Sequence, residues 1–125
     1  MTEPVIVGVD DDVRIRESIA RLARSAGYAA LMFASAEAVL ASGTLAQAGC
    51  LISDVRMPGM DGLELQRRVR AECPRLPVIL ISAHTDEQVR ERALREGAVA
   101  FLYKPFDGEE LLHAIETAVD RGSEP

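Results

Sequence analysis

The chain has 125 residues, 48% hydrophobic and 27% charged, which suits one soluble domain with a real core. A net charge of −6 argues against binding a nucleic acid backbone, and no apolar run approaches the length of a membrane span. The start lacks the features of a signal peptide, and Cys50 and Cys73 show no metal-ligand spacing, so both are expected as reduced thiols in a cytoplasmic protein.

In chain order, apolar periodicity alternates between strand and helix. Val5 to Val9 is a short, nearly continuous apolar run, and Ile15, Ile19, Leu22, Ala23 and Ala26 then share one helical face. Tyr28 to Phe33 is a weaker strand, diluted by alanines, and Ala36 to Ala41 a small helix. Leu51 to Ser53 follows as a strand, and then a helical stripe of Leu63, Leu65 and Val69. Val78 to Ser82 is a strand, with Val89, Ala93 and Leu94 as the next stripe. Val99 to Tyr103 is the last strand, and Leu111, Leu112, Ile115, Ala118 and Val119 face one side of the last helix.

Punctuation supports these elements. Asp12, Ser35, Asp61, Asp86 and Asp107 stand where helix N-caps belong, and Gly27 and Gly97 stand where a left-handed cap suits glycine. Continuous apolar strands separated by helices are the mark of a parallel sheet buried on both faces. The expected fold is a single α/β domain: a doubly wound five-stranded parallel sheet flanked by five helices. Periodicity does not reveal the strand order.

In such a sheet a functional site forms at the carboxyl ends of the strands. Those ends carry Asp10, Asp11 and Asp12, then Asp54, Ser82 and Lys104. Asp12 is read as the helix cap. Lys104 is the one lysine among 14 basic residues, and it supplies a compact point charge where a planar guanidinium would not fit. Three carboxylates within about 5 Å repel by roughly 3 kcal/mol per pair at an effective dielectric of 20. One ammonium is too little to balance them. A hard divalent ion such as Mg²⁺ suits this donor set, and Asp54 beside it could attack phosphorus to give an aspartyl phosphate. The Pro58-Gly59 turn carries the chain away and leaves the Asp54 carboxylate at the rim.

Four pieces, Val9-Asp10-Asp11, Asp54-Val55-Arg56-Met57-Pro58-Gly59-Met60-Asp61-Gly62, Ser82-Ala83 and Lys104-Pro105-Phe106, resemble the receiver domain of bacterial two-component response regulators. The likeness runs from Pro4 to about Arg121, giving a receiver domain over 1–121 and a tail or linker over 122–125. Phe33-Ala34-Ser35-Ala36-Glu37 and the Met-Pro-Gly-Met-Asp-Gly loop are similar to the subgroup that usually precedes a helix-turn-helix transcription domain.

The resemblance implies the flavodoxin-like strand order 2-1-3-4-5. It makes Asp54 the phosphoacceptor, with Mg²⁺ held by Asp10, Asp11, Asp54 and the backbone carbonyl of Arg56. Lys104 would pair with one phosphoryl oxygen, and the Ser82 hydroxyl would bond another. Phe101 would turn inward with the switch, and a cis bond is implied before Pro105. Arg56 and His84 would sit at the mouth of the site and modulate hydrolysis; His84 reads equally as a solvated loop residue. A sensor histidine kinase or phosphotransfer protein would be the donor, and a homodimer would form through the fourth helix, fifth strand and fifth helix. The domain would be regulatory rather than an enzyme, beyond its own phosphotransfer and dephosphorylation.

Rival classes fit less well. An aspartate-dependent phosphatase would want a second acid where Arg56 stands. A flavin or nucleotide module would want a glycine- or hydroxyl-rich loop in place of Asp10 to Asp12. A receiver reduced to a docking scaffold would not need the complete set of acids, hydroxyl and ammonium.

Overall fold

The elements run, in order, β1 (Val5–Val9), α1 (Val13–Ser25), β2 (Ala29–Phe33), α2 (Ala36–Ser42), β3 (Cys50–Asp54), α3 (Gly62–Glu72), β4 (Val78–Ser82), α4 (Glu87–Arg95), β5 (Ala100–Tyr103) and α5 (Gly108–Gly122). The computed structural model describes residues 4–122. All four strand pairings are parallel, and the sheet order is β2-β1-β3-β4-β5. Of the expected tail, Gly122 closes α5 and residues 123–125 lie outside the described residues. No helix among the described residues is long and apolar enough to cross a membrane.

Strand alternation splits the core in two. Val7, Val9, Leu51 and Leu80 face one side and pack with Val39, Leu65, Val69 and Ala93 of α2, α3 and α4. Ile6, Ile52, Ile79 and Ile81 face the other and pack with Ile19, Ala23, Leu111 and Ile115 of α1 and α5. β3 and β4 are buried along their whole length, which is why they read as unbroken apolar runs. β2 is an edge strand, and there Arg24 covers the rim by donating to the Ala30 carbonyl at 3.3 Å. Cys50 lies inside β3, while Cys73 caps α3 and is half-buried.

The caps are where composition places them. Asp12, Ser35, Asp61 and Asp86 each accept from a backbone N–H in the first turn of the following helix, and Asp107 accepts from Glu109. Gly27 and Gly97 adopt φ of 91° and 107°. Several boundaries differ from the sequence reading: β5 starts at Ala100 rather than Val99, and α2 runs on to Ser42. β3 runs one residue further at each end, to Cys50 and Asp54, because Asp54 pairs with Ile81 and the next N–H, of Val55, still bonds the Ile81 carbonyl at 2.9 Å. Tyr28 is left out of β2, its N–H returning to Ala23 to close α1. A 3₁₀ turn at Thr44–Gln47, anchored by the buried Leu45, has no periodic signal in the sequence.

One glycine decides how the loop after β3 folds. Gly62 opens α3 with its N–H on the Val55 carbonyl at 2.8 Å, and a Cβ there would run into the backbone carbonyl oxygen of Asp54. Backbone cannot step aside as a flexible side chain can. Gly62→Ala should therefore lower stability by about 2 kcal/mol, read as an earlier midpoint in urea unfolding.

Candidate functional site

β1 and β3 are neighbours, with Val9 opposite Ser53, so the acids that follow each strand emerge side by side. Asp10 is fully buried and held at several points. Its N–H donates to the Phe33 carbonyl at 3.1 Å, and its Oδ1 accepts from the Asp12 N–H at 2.9 Å. Its Oδ2 lies 2.9 Å from Lys104 Nζ, an ion pair in which both groups are sheltered from solvent. Lys104 Nζ also lies 3.4 Å from Asp54 Oδ2, so one ammonium bridges two strand ends. Asp54 is 5% exposed, whereas Asp11 faces solvent. One carboxylate oxygen from each of Asp10, Asp11 and Asp54 falls within 4.8 Å of the others.

The last strand brings the remaining groups to the same rim. Lys104 N–H donates to the Ser82 carbonyl at 2.8 Å, which ties the end of β5 to the end of β4. The Ser82 hydroxyl is buried and turned into its own loop, donating to the His84 carbonyl at 3.1 Å and accepting from the His84 N–H at 3.0 Å. The peptide bond between Lys104 and Pro105 is cis. Phe101 is half-buried against the core on the α2–α3–α4 side and meets Tyr103 edge to face, with ring centroids 5.5 Å apart. Arg56 and His84 are exposed, and among the described residues their side chains make no hydrogen bond or ion pair. His113 and the arginines at 67, 68 and 70 lie on solvent-facing helix surfaces.

The charges perturb one another. Burial raises the Asp54 pKa above its ordinary 3.8; the Asp10 charge adds to this and Lys104 opposes it. Burial works against the Lys104 ammonium, yet its contact with Asp10 and the negative charge of Asp54 outweigh that cost and lift its pKa above 10.5. The site is thus short of positive charge even with Lys104 in place.

Three contacts at this rim had no signal in the sequence. Arg16 of α1 donates to the Asp10 carbonyl at 2.8 Å. Glu37 in the first turn of α2 accepts from the Met60 N–H at 2.9 Å, pinning the loop that follows Asp54, and that hydrogen bond lowers its pKa. Tyr103 donates to Glu87 at 3.2 Å, tying β5 to the start of α4.

The response regulator receiver domain family matches residues 6–116, nearly the whole chain. The chain belongs to that family. The transcriptional regulatory protein FixJ of Bradyrhizobium diazoefficiens is 40% identical over 124 residues, covering 99% of this chain and 60% of its own length. The response regulator protein TmoT of Ectopseudomonas mendocina is 44% identical over 117 residues, covering 94% of this chain and 53% of its own length. Among solved structures, the response regulator StyR superposes with a TM-score of 0.89 at 40% identity, over 98% of this chain and 62% of that one. FixJ-N gives 0.84 at 36% identity, over 96% of both chains. This receiver domain therefore spans only about half to three-fifths of the curated relatives it resembles.

A raised carboxyl pKa means that the folded state holds its proton more tightly than the unfolded one between 3.8 and the folded value. Through that window the Asp54 contribution to stability improves as pH falls. For Lys104 the contribution is complete below 10.5 and is lost as pH rises through its raised value. In metal-free protein near neutral pH, Asp54→Asn should raise the melting temperature by about 3–6 °C, the size of a 1 kcal/mol gain in a domain of this length. That advantage should shrink as pH approaches 4, as a series of thermal melts will show.

Proposed function

We propose that Asp54 accepts a phosphoryl group from a phosphohistidine on a partner protein, and that Asp10, Asp11, Asp54 and the Arg56 carbonyl hold the Mg²⁺ this transfer needs. The observation that carries the reading is the meeting of three carboxylates within 4.8 Å, two of them sharing the Lys104 ammonium. The donor set is all hard oxygen and its net charge is negative, which fits Mg²⁺. The three oxygens lie within 4.8 Å of one another, near enough to serve one small cation.

When bound, Mg²⁺ would neutralise charge on the transferring phosphoryl group. Asp54 Oδ forms the new bond to phosphorus as the phosphorus–nitrogen bond of the donor breaks, and the released imidazole takes up a proton. Lys104, anchored between Asp10 and Asp54, offers its ammonium to an equatorial oxygen of the group in transit. Burial of Asp54 keeps its carboxylate lightly solvated and ready to attack.

The product places new acceptor oxygens at the rim, near the end of β4. The Ser82 hydroxyl, engaged with the His84 backbone, would exchange those bonds for a phosphoryl oxygen and draw the β4–α4 loop inward. Phe101, half-buried behind it, would follow by turning further into the core, and α4, β5 and α5 would present a surface for a second copy. Phosphorylation biases two existing states rather than creating one. Arg56 and His84, exposed beside the acceptor loops, would tune access of the hydrolytic water. A sensor histidine kinase or phosphotransfer protein supplies the group in the cytoplasm, and the output belongs to whatever the receiver controls.

Incubation with acetyl phosphate and Mg²⁺ should add one phosphoryl group to the wild-type protein, mapped to Asp54 by mass spectrometry, and none to Asp54→Asn. Equal uptake by the variant would falsify the assignment. Lys104→Arg should slow the transfer, because the guanidinium fork is too broad for the space between Asp10 and Asp54; an unchanged rate would refute the point-charge argument. Light scattering with and without a beryllofluoride mimic should show a rise in mass, and no change in mass would count against the α4–β5–α5 dimer.

A further inference from the structure

Arg16 is the fourth residue of α1, and its side chain turns back past the start of the helix to reach the Asp10 carbonyl at 2.8 Å. That carbonyl belongs to the turn that presents Asp10 and Asp11. The other polar groups of Asp10 are tied as well: N–H to Phe33, Oδ1 to the Asp12 N–H and Oδ2 beside Lys104. Arg16 makes no ion pair with Asp10, Asp11 or Asp54; its contact is with backbone. Arg14, two residues earlier, differs in kind. Its guanidinium stands in solvent and pairs with Asp12, the cap of α1.

The turn after β1 is under an outward push, since its two acids stand beside Asp54 and all three carry the same charge. A turn free to relieve that push would spread its ligands and would have to be gathered again by the ion. A planar guanidinium donating to the backbone carbonyl resists the spreading without occupying a ligand position. The i to i−6 reach from the helix requires a long side chain ending in an N–H donor.

We infer that Arg16 is a positioning residue for the divalent cation: by holding the Asp10 carbonyl it fixes the turn that presents Asp10 and Asp11. This rests on the metal site proposed above. Partners one step outside a metal's own ligands commonly change its affinity by about 10–100-fold when removed.

Calorimetric titration of the full chain with Mg²⁺ tests it, using wild type, Arg16→Met, Arg16→Lys, Arg14→Met and Asp11→Asn. Arg16→Met keeps the stem that lines a groove with Ala20 and Met32 but removes the donor. It should weaken Mg²⁺ binding by about 10-fold, and Arg16→Lys, which restores a donor, should recover most of the loss. Arg14→Met removes the same charge from an exposed pair and should stay within about twofold of wild type. In the metal-free protein, the Asp12 amide, which bonds Asp10 Oδ1, should exchange with solvent faster in Arg16→Met at an unchanged melting temperature. Wild-type affinity in Arg16→Met, or an equal loss in Arg14→Met, would overturn the inference while leaving the metal site intact. Undiminished binding by Asp11→Asn would instead remove the metal site itself, and this inference with it.

Discussion

Two buried carboxylates and one ammonium, brought together from three strands, set the terms for the rest of the molecule. Asp10 and Asp54 are out of water and beside each other, and Lys104 answers only part of their charge. Burying charge is costly unless it is paired, so the surrounding structure must hold the three groups at short range. The parallel order does this by placing β1 next to β3, with both strands ending at the same level. Neighbouring strands lie about 4.8 Å apart, so the end of β5 is roughly 10 Å from β3 with β4 between them. Only a long side chain leaning across that gap can reach both acids. Residual repulsion is therefore built into the fold, and the proposed Mg²⁺ would relieve it.

Much of this was legible in the residues themselves. Apolar runs marked the strands because β3 and β4 are buried on both faces, and the acids showed because they interrupt those runs at the strand ends. Aspartate, serine and glycine marked the helix ends because their roles there are local, made within a few residues. The order of the strands was not local, and it came with the family resemblance rather than with any period. The ties from Arg16 to Asp10, from Glu37 to Met60 and from Tyr103 to Glu87 were invisible for a related reason. Each depends on how neighbouring elements pack, and an arginine or glutamate in a charged helix carries no mark of what it will meet. The 3₁₀ turn at Thr44–Gln47 is too short to show any period.

The far side of the rim shows how readiness and restraint coexist. The Ser82 hydroxyl exchanges hydrogen bonds with both backbone groups of His84, so it must give up its bond to the His84 carbonyl before it can donate elsewhere. Phe101 leans on Tyr103, and Tyr103 is tied through Glu87 to α4. Phe101, Tyr103 and Glu87 thus form one chain of contacts from β5 to α4. Asp54 ends the fully buried β3 and Asp10 and Asp11 stand in the turn after β1, whereas the Ser82 and Phe101 contacts lie on the loop before α4 and on β5 at the sheet edge.

The two cysteine thiols of the chain differ in their exposure. Cys50 is sealed within β3, and burial pushes its thiol up to about 12, so almost none of it is thiolate near neutrality. Cys73 at the end of α3 is half-open to solvent. Before Cys50, a thiol-directed dye would therefore meet Cys73, near the end of α3. Its location gives a ready-made handle for fluorescence or surface immobilisation that leaves the acid rim facing free solution.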